Sequence, residues 1–290
     1  MLKHDMHGES DPSKTLGPRS AALVTRLHEQ GRTVFRVADV RRNTGLSAAS
    51  ARSLARRMVV SGTAVRATPG LFQLVPFELG RARDYGGNPL LLARALVRDN
   101  DYCLSHGTAM EIHGMTTQPR LTVTVSTVRA RRPVKAGGYR FRFTVCRPRD
   151  LFGITDHWAT KQARVRVSDP ERTVVDGLRH PEYCGGVTEV AQGMVMRRDT
   201  LNASLLIRYA LQAGVGAVVR RLGYLLETLE MAPARELDSL RKALTPAYAR
   251  LDPGLPARGA YLRRWRLRLN VPREEIAASG RTEKKKRGRA

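Results

Sequence analysis

Residues 47–60 read SAASARSLARRMVV, and the reading of this stretch decides the fold of the first quarter of the chain. Ser47 is a favoured helix N-cap. Ala51, Leu54, Ala55 and Met58 then recur at three- and four-residue spacing and make one apolar stripe. The opposite face carries Ala49, Ser50, Ser53 and Arg56, flanked by Arg52 and Arg57. Small residues permit close approach to a surface, and arginines suit an anionic one. Val60 falls on the polar face and does not fit it, unless the helix frays before that point. A charged helix face is by default a solvated one, so the flanking sequence has to decide.

On the N-terminal side, Pro18–Gln30 reads as a helix with Leu23, Val24 and Leu27 inward and Gly31 as its stop. Thr33–Phe35 is a short strand, and Val37–Arg42 a short helix closed by Asn43 and Gly45. On the C-terminal side Gly62 ends the helix. Thr63–Thr68 and Leu71–Val75 are strands joined by the tight-turn pair Pro69-Gly70. Helix, strand, helix, turn, helix, hairpin is the order of a winged helix-turn-helix, and NTGLS supplies the glycine and leucine its bend needs. In that arrangement the third helix enters the major groove by its N-terminal half, while Arg66 on the hairpin meets backbone or minor groove. Between Arg19 and Pro76 there are ten arginines against Glu29 and Asp39. A winged helix used for protein contact normally lacks that excess. The candidate DNA-binding residues are therefore Ser47, Ala49, Ser50, Arg52, Ser53, Arg56, Arg57 and Arg66.

The whole chain of 290 residues carries 51 basic and 26 acidic residues, a formal charge of +25, and 43 of the basic residues are arginine. A GC-rich genome enriches arginine and alanine but does not explain the shortage of acids. A polyanionic partner does: nucleic acid first, an anionic membrane surface second. Cys103, Cys146 and Cys184 form neither a C-x-x-C pair nor a zinc spacing, which reads as reduced thiols of a cytoplasmic protein. The polar start MLKHDMHGESDPSK is no signal peptide, and the most apolar run, Pro89–Val97, is too short to span a bilayer. No metal and no cofactor is expected.

The fold class expected is α+β, an N-terminal winged helix-turn-helix followed by a mixed α/β domain with a small sheet and several helices. Residues 1–18 read as a disordered extension, 19–88 as the winged helix with a glycine-bearing linker, 89–273 as the second domain, and 274–290 as a basic disordered tail. The second domain opens on a helix, Pro89–Arg98, apolar nearly all round and expected to pack into that domain. A strand at Tyr102–Leu104 and a helix begun by Ser105 follow. Leu121–Ser126 and Tyr139–Cys146 alternate polar and apolar residues and can pair, with VRARRPVKAGG as a basic loop between them. After a strand at Arg164–Val167, SDPERTVVDGL starts a helix. Ser168 or Asp169 is its cap, Pro170 sits in the first turn, Glu171 is the acidic partner, and Arg172 and Asp176 are expected to pair on its surface. Helices follow over 187–196, 202–213, 216–229 and 235–244. Tyr261–Leu269 alternates into a last strand with Arg264, Arg266 and Arg268 on one face. These three, with Arg129, Arg131, Arg132 and Lys135 on the basic loop, form a second basic patch, a phosphate track or an RNA contact or simply a solvated face.

From Arg19 to Leu269 the chain resembles the AbiEi family, antitoxins of type IV abortive-infection toxin–antitoxin pairs. The resemblance rests on SGTAVRATPGLFQLVP, YCLSHGTAMEIHGMTTQ followed by TVTVS, VRVSDPERTVVDGLRHPEYCGG and RRLGYLLE, in that order and spacing. It implies a winged helix that binds inverted repeats in its own promoter, acting as an autorepressor, and a C-terminal domain that neutralises the toxin. It also implies a nucleotidyltransferase-like toxin that forms no stable complex with the antitoxin. The extended N-terminus and lysine-rich tail lie outside the resemblance.

Two other readings compete. One is a stand-alone winged-helix regulator whose second domain senses a ligand or dimerises. The other is a nucleic-acid-processing enzyme, for which His106, His113, Asp169, Asp176 and Glu227 are the raw material. His106 at a helix start has the look of a structural histidine, Asp169 of a cap and Asp176 of an ion-pair partner. A metal nuclease needs an acid followed at two places by lysine on a strand. Glu283 and Lys285 match that string only within the tail, and no phosphate-cradling glycine loop or nucleophile elbow occurs. The expectation is no catalytic residue and no membrane partner.

Overall fold

The computed structural model describes residues 16–79, 85–98 and 100–276. The expected extension, the basic tail with Glu283 and Lys285, and part of the linker fall largely outside the described residues. Two compact units emerge. The first takes the described residues up to Ala95 together with Lys135–Tyr139 and Thr160–Ala163; the second takes the remainder.

In the first unit, α1 (Pro18–Glu29), β1 (Val34–Arg36), α2 (Val37–Thr44), α3 (Ala48–Val60), β2 (Ala64–Thr68) and β3 (Leu71–Leu74) follow one another. The strands form an antiparallel sheet in the order β1-β3-β2, the wing of a winged helix-turn-helix. Leu23, Leu27, Phe35, Val40, Leu54 and Met58 are fully buried together. The turn between α2 and α3 works because Gly45 takes φ 70°, a left-handed conformation that glycine adopts without strain. Asp39 fixes the start of α2: its carboxylate accepts from the Arg36 backbone N–H at 2.8 Å and pairs with Arg32 at 3.1 Å. The next helix, α4 (Pro89–Val97), clusters with this unit as far as Ala95, not with the second domain as its apolar surface suggests. Arg36 donates to the Ala95 carbonyl at 3.0 Å, so a sequence-distant arginine holds the end of α4 there.

The second unit holds the larger part of a sheet in the order β6-β7-β5-β4-β9-β8, from β4 (Tyr102–Leu104), β5 (Thr122–Thr127), β6 (Val134–Ala136), β7 (Tyr139–Val145), β8 (Ile154–Thr160) and β9 (Ala163–Ser168). β5 and β7 do pair, but in parallel, Val123 opposite Phe141 and Val125 opposite Phe143. The stretch between them is not all loop, since β6 occupies its end and Lys135 lies on a strand. β8 went unread because ITDHWAT has no clean alternation; its residues are half-exposed on an edge. Helices α5 (His106–Ile112), α6 (Pro170–Arg179), α7 (Val187–Met196), α8 (Ala203–Ala213) and α9 (Gly216–Thr228) enclose the principal core, with Leu178, Val187, Met194, Leu206, Leu222 and Leu225 buried. Asp169 is the cap of α6, accepting from the Arg172 N–H at 2.7 Å. Glu171 does not complete a capping box; its Oε1 accepts from Asn202 N–H at 2.8 Å. A short helix, α10 (Asp238–Lys242), follows α9.

The expected strand Tyr261–Leu269 is instead a hairpin, β11 (Tyr261–Leu262) and β12 (Leu267–Arg268), with β10 (Ala249–Arg250) parallel to β12. The alternation is real, but Trp265 has to turn inward, where it is fully buried and covers Gly223. A continuous strand would carry the ring past that seat. No described helix is long and apolar enough to cross a membrane.

Candidate nucleic-acid interface

α3 is divided along its length as the sequence divides it. Ala51, Leu54, Ala55 and Met58 are at most 1% exposed, while Ser47, Ala49, Ser50, Arg52, Ser53, Arg56 and Arg57 are all exposed. The four buried side chains fix the rotation of the helix, so the outward set is fixed with them. The Ser47 hydroxyl caps the helix by accepting from Ser50 N–H at 3.2 Å. Arg57 spends one arm on Ser53, donating to its Oγ at 3.0 Å. Val60, the residue that did not fit, is still helical and is 88% exposed at the last turn.

Arg66 stands exposed on β2. Among the described residues no hydrogen-bond or ion-pair partner is found for Arg52, Arg56 or Arg66, whereas Arg32 and Arg42 are neutralised by Asp39 and Arg26 donates to the Asn43 carbonyl. Arg26, Arg32 and Arg42 thus help to hold the helix-turn-helix together, and Arg52, Arg56 and Arg66 are left for solvent or a ligand. Beside them, between the first turn of α1 and the last turns of α3, lies an open groove of about 890 Å³ rimmed by Arg19, Arg56 and Arg57. Among the described residues no acidic side chain lines it. An arginine-rimmed groove beside a face of small residues is a candidate nucleic-acid surface.

The residues of the second basic patch differ in how they are engaged. Arg129, Arg132 and Lys135 are exposed. Arg131 turns back to donate to the carbonyls of Leu96 and Val97, holding backbone. Arg264 pairs with Glu227 at 2.7 Å. The hairpin turn separates Arg264 from Arg266 and Arg268, whose guanidinium groups lie 5.7 Å from the Tyr248 ring and 5.1 Å from the Tyr261 ring. Both tyrosines escaped the sequence reading; their signal was an aromatic beside arginine in PAYAR and in GAYLR.

The residues considered for catalysis have structural partners. His106 is 2% exposed at the start of α5, with φ 53°. Its Nδ1 meets Ser105 Oγ at 2.9 Å, and that hydroxyl meets Ser126 Oγ at 2.8 Å. Burial pushes its pKa down to about 4, partly offset by Asp176, so the imidazole is neutral. Its Nε2 finds no partner among the described residues. His113 Nε2 lies 2.7 Å from the Ser168 carbonyl. Asp169 caps α6 and accepts from Tyr209 OH at 3.0 Å. Asp176 pairs with Arg172, and Glu227 accepts from Trp265 Nε1 at 2.6 Å. Among the described residues no three His, Cys, Asp or Glu side chains converge.

Comparison with known proteins agrees with this division. Residues 22–75 match a family model described as a transcriptional regulator, AbiEi antitoxin, and residues 102–228 match the AbiEi antitoxin C-terminal domain. The crystal structure of the RV2827C protein from Mycobacterium tuberculosis is similar in fold, with a TM-score of 0.65 over 93% of this chain and 96% of that one, at 14% identity. No curated protein sequence matches the chain. A winged helix matched as regulator, followed in one chain by a domain matched as antitoxin, places the protein: it belongs to the AbiEi antitoxin family.

Proposed function

We propose that this protein is the antitoxin of a type IV pair and represses its own promoter by inserting α3 into the major groove of inverted repeats. The observation that carries the reading is the exposed face of α3. Small residues at its N-terminal half (Ser47, Ala49, Ser50) allow close approach, and Arg52 and Arg56 are unengaged within the described residues and in reach of base edges. Arg66 on the wing supplies a phosphate or minor-groove contact. Neutralisation belongs to the second domain, acts against a nucleotidyltransferase-like toxin encoded alongside, and proceeds without a stable complex. The reading is non-enzymatic, which the burial of His106 and the structural partners of Asp169, Asp176 and Glu227 support; it is also cytoplasmic and uses no cofactor.

Separation of function tests the proposal. A reporter driven by the protein's own upstream region is measured beside survival of cells expressing the neighbouring toxin gene. Arg56→Ala is expected to release the reporter and still protect the cells. Loss of protection in a folded Arg56→Ala protein would overturn the division of labour.

A further inference from the structure

The C-terminal sheet lies beyond residue 228, where the match to the antitoxin domain ends. Tyr248 and Tyr261 are 41% and 60% exposed there, and their rings meet edge-on at 5.1 Å between centroids. From Tyr248 to Arg273 the chain has seven arginines and one acid, Asp252. That acid is buried and occupied, accepting from the N–H groups of Val187 at 2.8 Å and Gly254 at 2.7 Å. With Arg264 paired to Glu227, the exposed Arg250 and Arg263 and the half-buried Arg266 and Arg268 have no carboxylate partner among the described residues. Arg266 is held at φ 50°, an uncommon conformation for a side-chain-bearing residue.

Two further arginines sit beneath this sheet. Arg220 is buried and donates to the Thr245 and Ala247 carbonyls at 3.0 and 2.9 Å, seating the segment that presents Tyr248. Arg221, also buried, donates to the Leu178 and Arg250 carbonyls at 2.6 and 3.1 Å. Burial weakens the hold of both on their protons; the like charge of Arg266 adds to this at Arg220, whereas at Arg221 Asp252 and Glu182 oppose it and Arg250 adds a smaller push.

An acidic peptide would use the arginines and leave two exposed tyrosines without a role. A duplex would offer phosphates but keep its base faces stacked. A single strand offers phosphate to guanidinium and base face to ring. We propose that Tyr248 and Tyr261, with Arg250, Arg263, Arg266 and Arg268, form a binding platform for single-stranded nucleic acid, separate in its residues from the duplex-reading helix α3.

The test uses the full chain and fluorescein-labelled twelve-nucleotide oligo(U) and oligo(dT), followed by anisotropy at several salt concentrations. Binding of either strand at moderate salt is expected. Replacing both tyrosines by alanine is expected to weaken it by about 5- to 150-fold for each base stack lost. Tyr261→Phe keeps the stack and is expected to bind as the wild type does. Arg268→Ala lowers the salt slope by about 0.7. Affinity for a duplex of the protein's own upstream region stays unchanged in the tyrosine variants, and Arg56→Ala shows the converse pattern. Equal strand binding by the double-alanine variant, displacement of the strand by that duplex, or no strand binding by the wild type would overturn the platform.

Discussion

Arg172 and Asp176, one turn apart on α6, form an ion pair of 2.8 Å with less than a tenth of either side chain exposed. Arg172 also donates to the Asp150 carbonyl at 2.6 Å and lies 4.1 Å from the centre of the Phe152 ring. A pair at this spacing is ordinarily a surface feature of small worth; here it is inside the molecule. Removing Asp176 alone strands a guanidinium away from water, so Asp176→Ala is expected to cost about 3–5 kcal/mol. Replacing Arg172 by Met and Asp176 by Leu together removes both charges and is expected to cost less than the single change. Urea unfolding of the two variants checks the order; a milder Asp176→Ala would mean the pair is solvated.

This pair shows what sequence carries and what it does not. The helix, its cap and the partnership of Arg172 with Asp176 all depend on residues within one turn of each other and were legible. The burial depends on α5, α7, α8 and α9 closing around α6, and nothing local in SDPERTVVDGL records that. The same distinction separates the two ends of the chain. In the winged helix, periodicity and turn chemistry are local, so the buried stripe Ala51, Leu54, Ala55 and Met58 and the opposite face were readable residue by residue. At Tyr261–Leu269 a long-range demand, the seat of Trp265 on Gly223, overrode a local alternation. The exposed Tyr261 of that hairpin, with Tyr248 against it, became visible only once the turn was in place.

The Trp265 seat yields a second prediction. A Cβ added at Gly223 would lie 2.1 Å from Trp265 Cζ3, closer than any contact can hold. Gly223→Ala is expected to lower stability by at least the roughly 1–3 kcal/mol typical of overpacking. Combining it with Trp265→Leu should recover part of the loss. Thermal unfolding of the three proteins decides; a Gly223→Ala protein as stable as the wild type would mean the ring is seated elsewhere.

His106 makes stability depend on pH. Its folded pKa of about 4 lies below the free value of about 6.5, so the unfolded chain binds the proton more readily. Stability is therefore complete above pH 6.5 and is lost as pH falls toward 4, by about 2 kcal/mol between pH 7 and pH 5. Asp176 and Glu182 favour the proton, while burial, His180 and Arg172 oppose it. His106→Asn accepts the positive φ and does not titrate. Its stability should fall less steeply over that interval; parallel profiles would remove His106 from the account.

In the proposed complex α3 reads sequence while the wing holds backbone. A bidentate arginine–guanine contact discriminates by roughly 1–3 kcal/mol, whereas a phosphate contact carries little sequence information. The most direct measurement is a pair of salt titrations, on a duplex of the protein's own upstream region and on its scrambled form, for Arg56→Ala and Arg66→Ala. Arg56→Ala is expected to weaken binding to the upstream duplex far more than to the scrambled one. Arg66→Ala is expected to weaken both alike and to flatten the salt dependence by about one unit of slope. If Arg56→Ala lowers both affinities equally, α3 is not the reading helix.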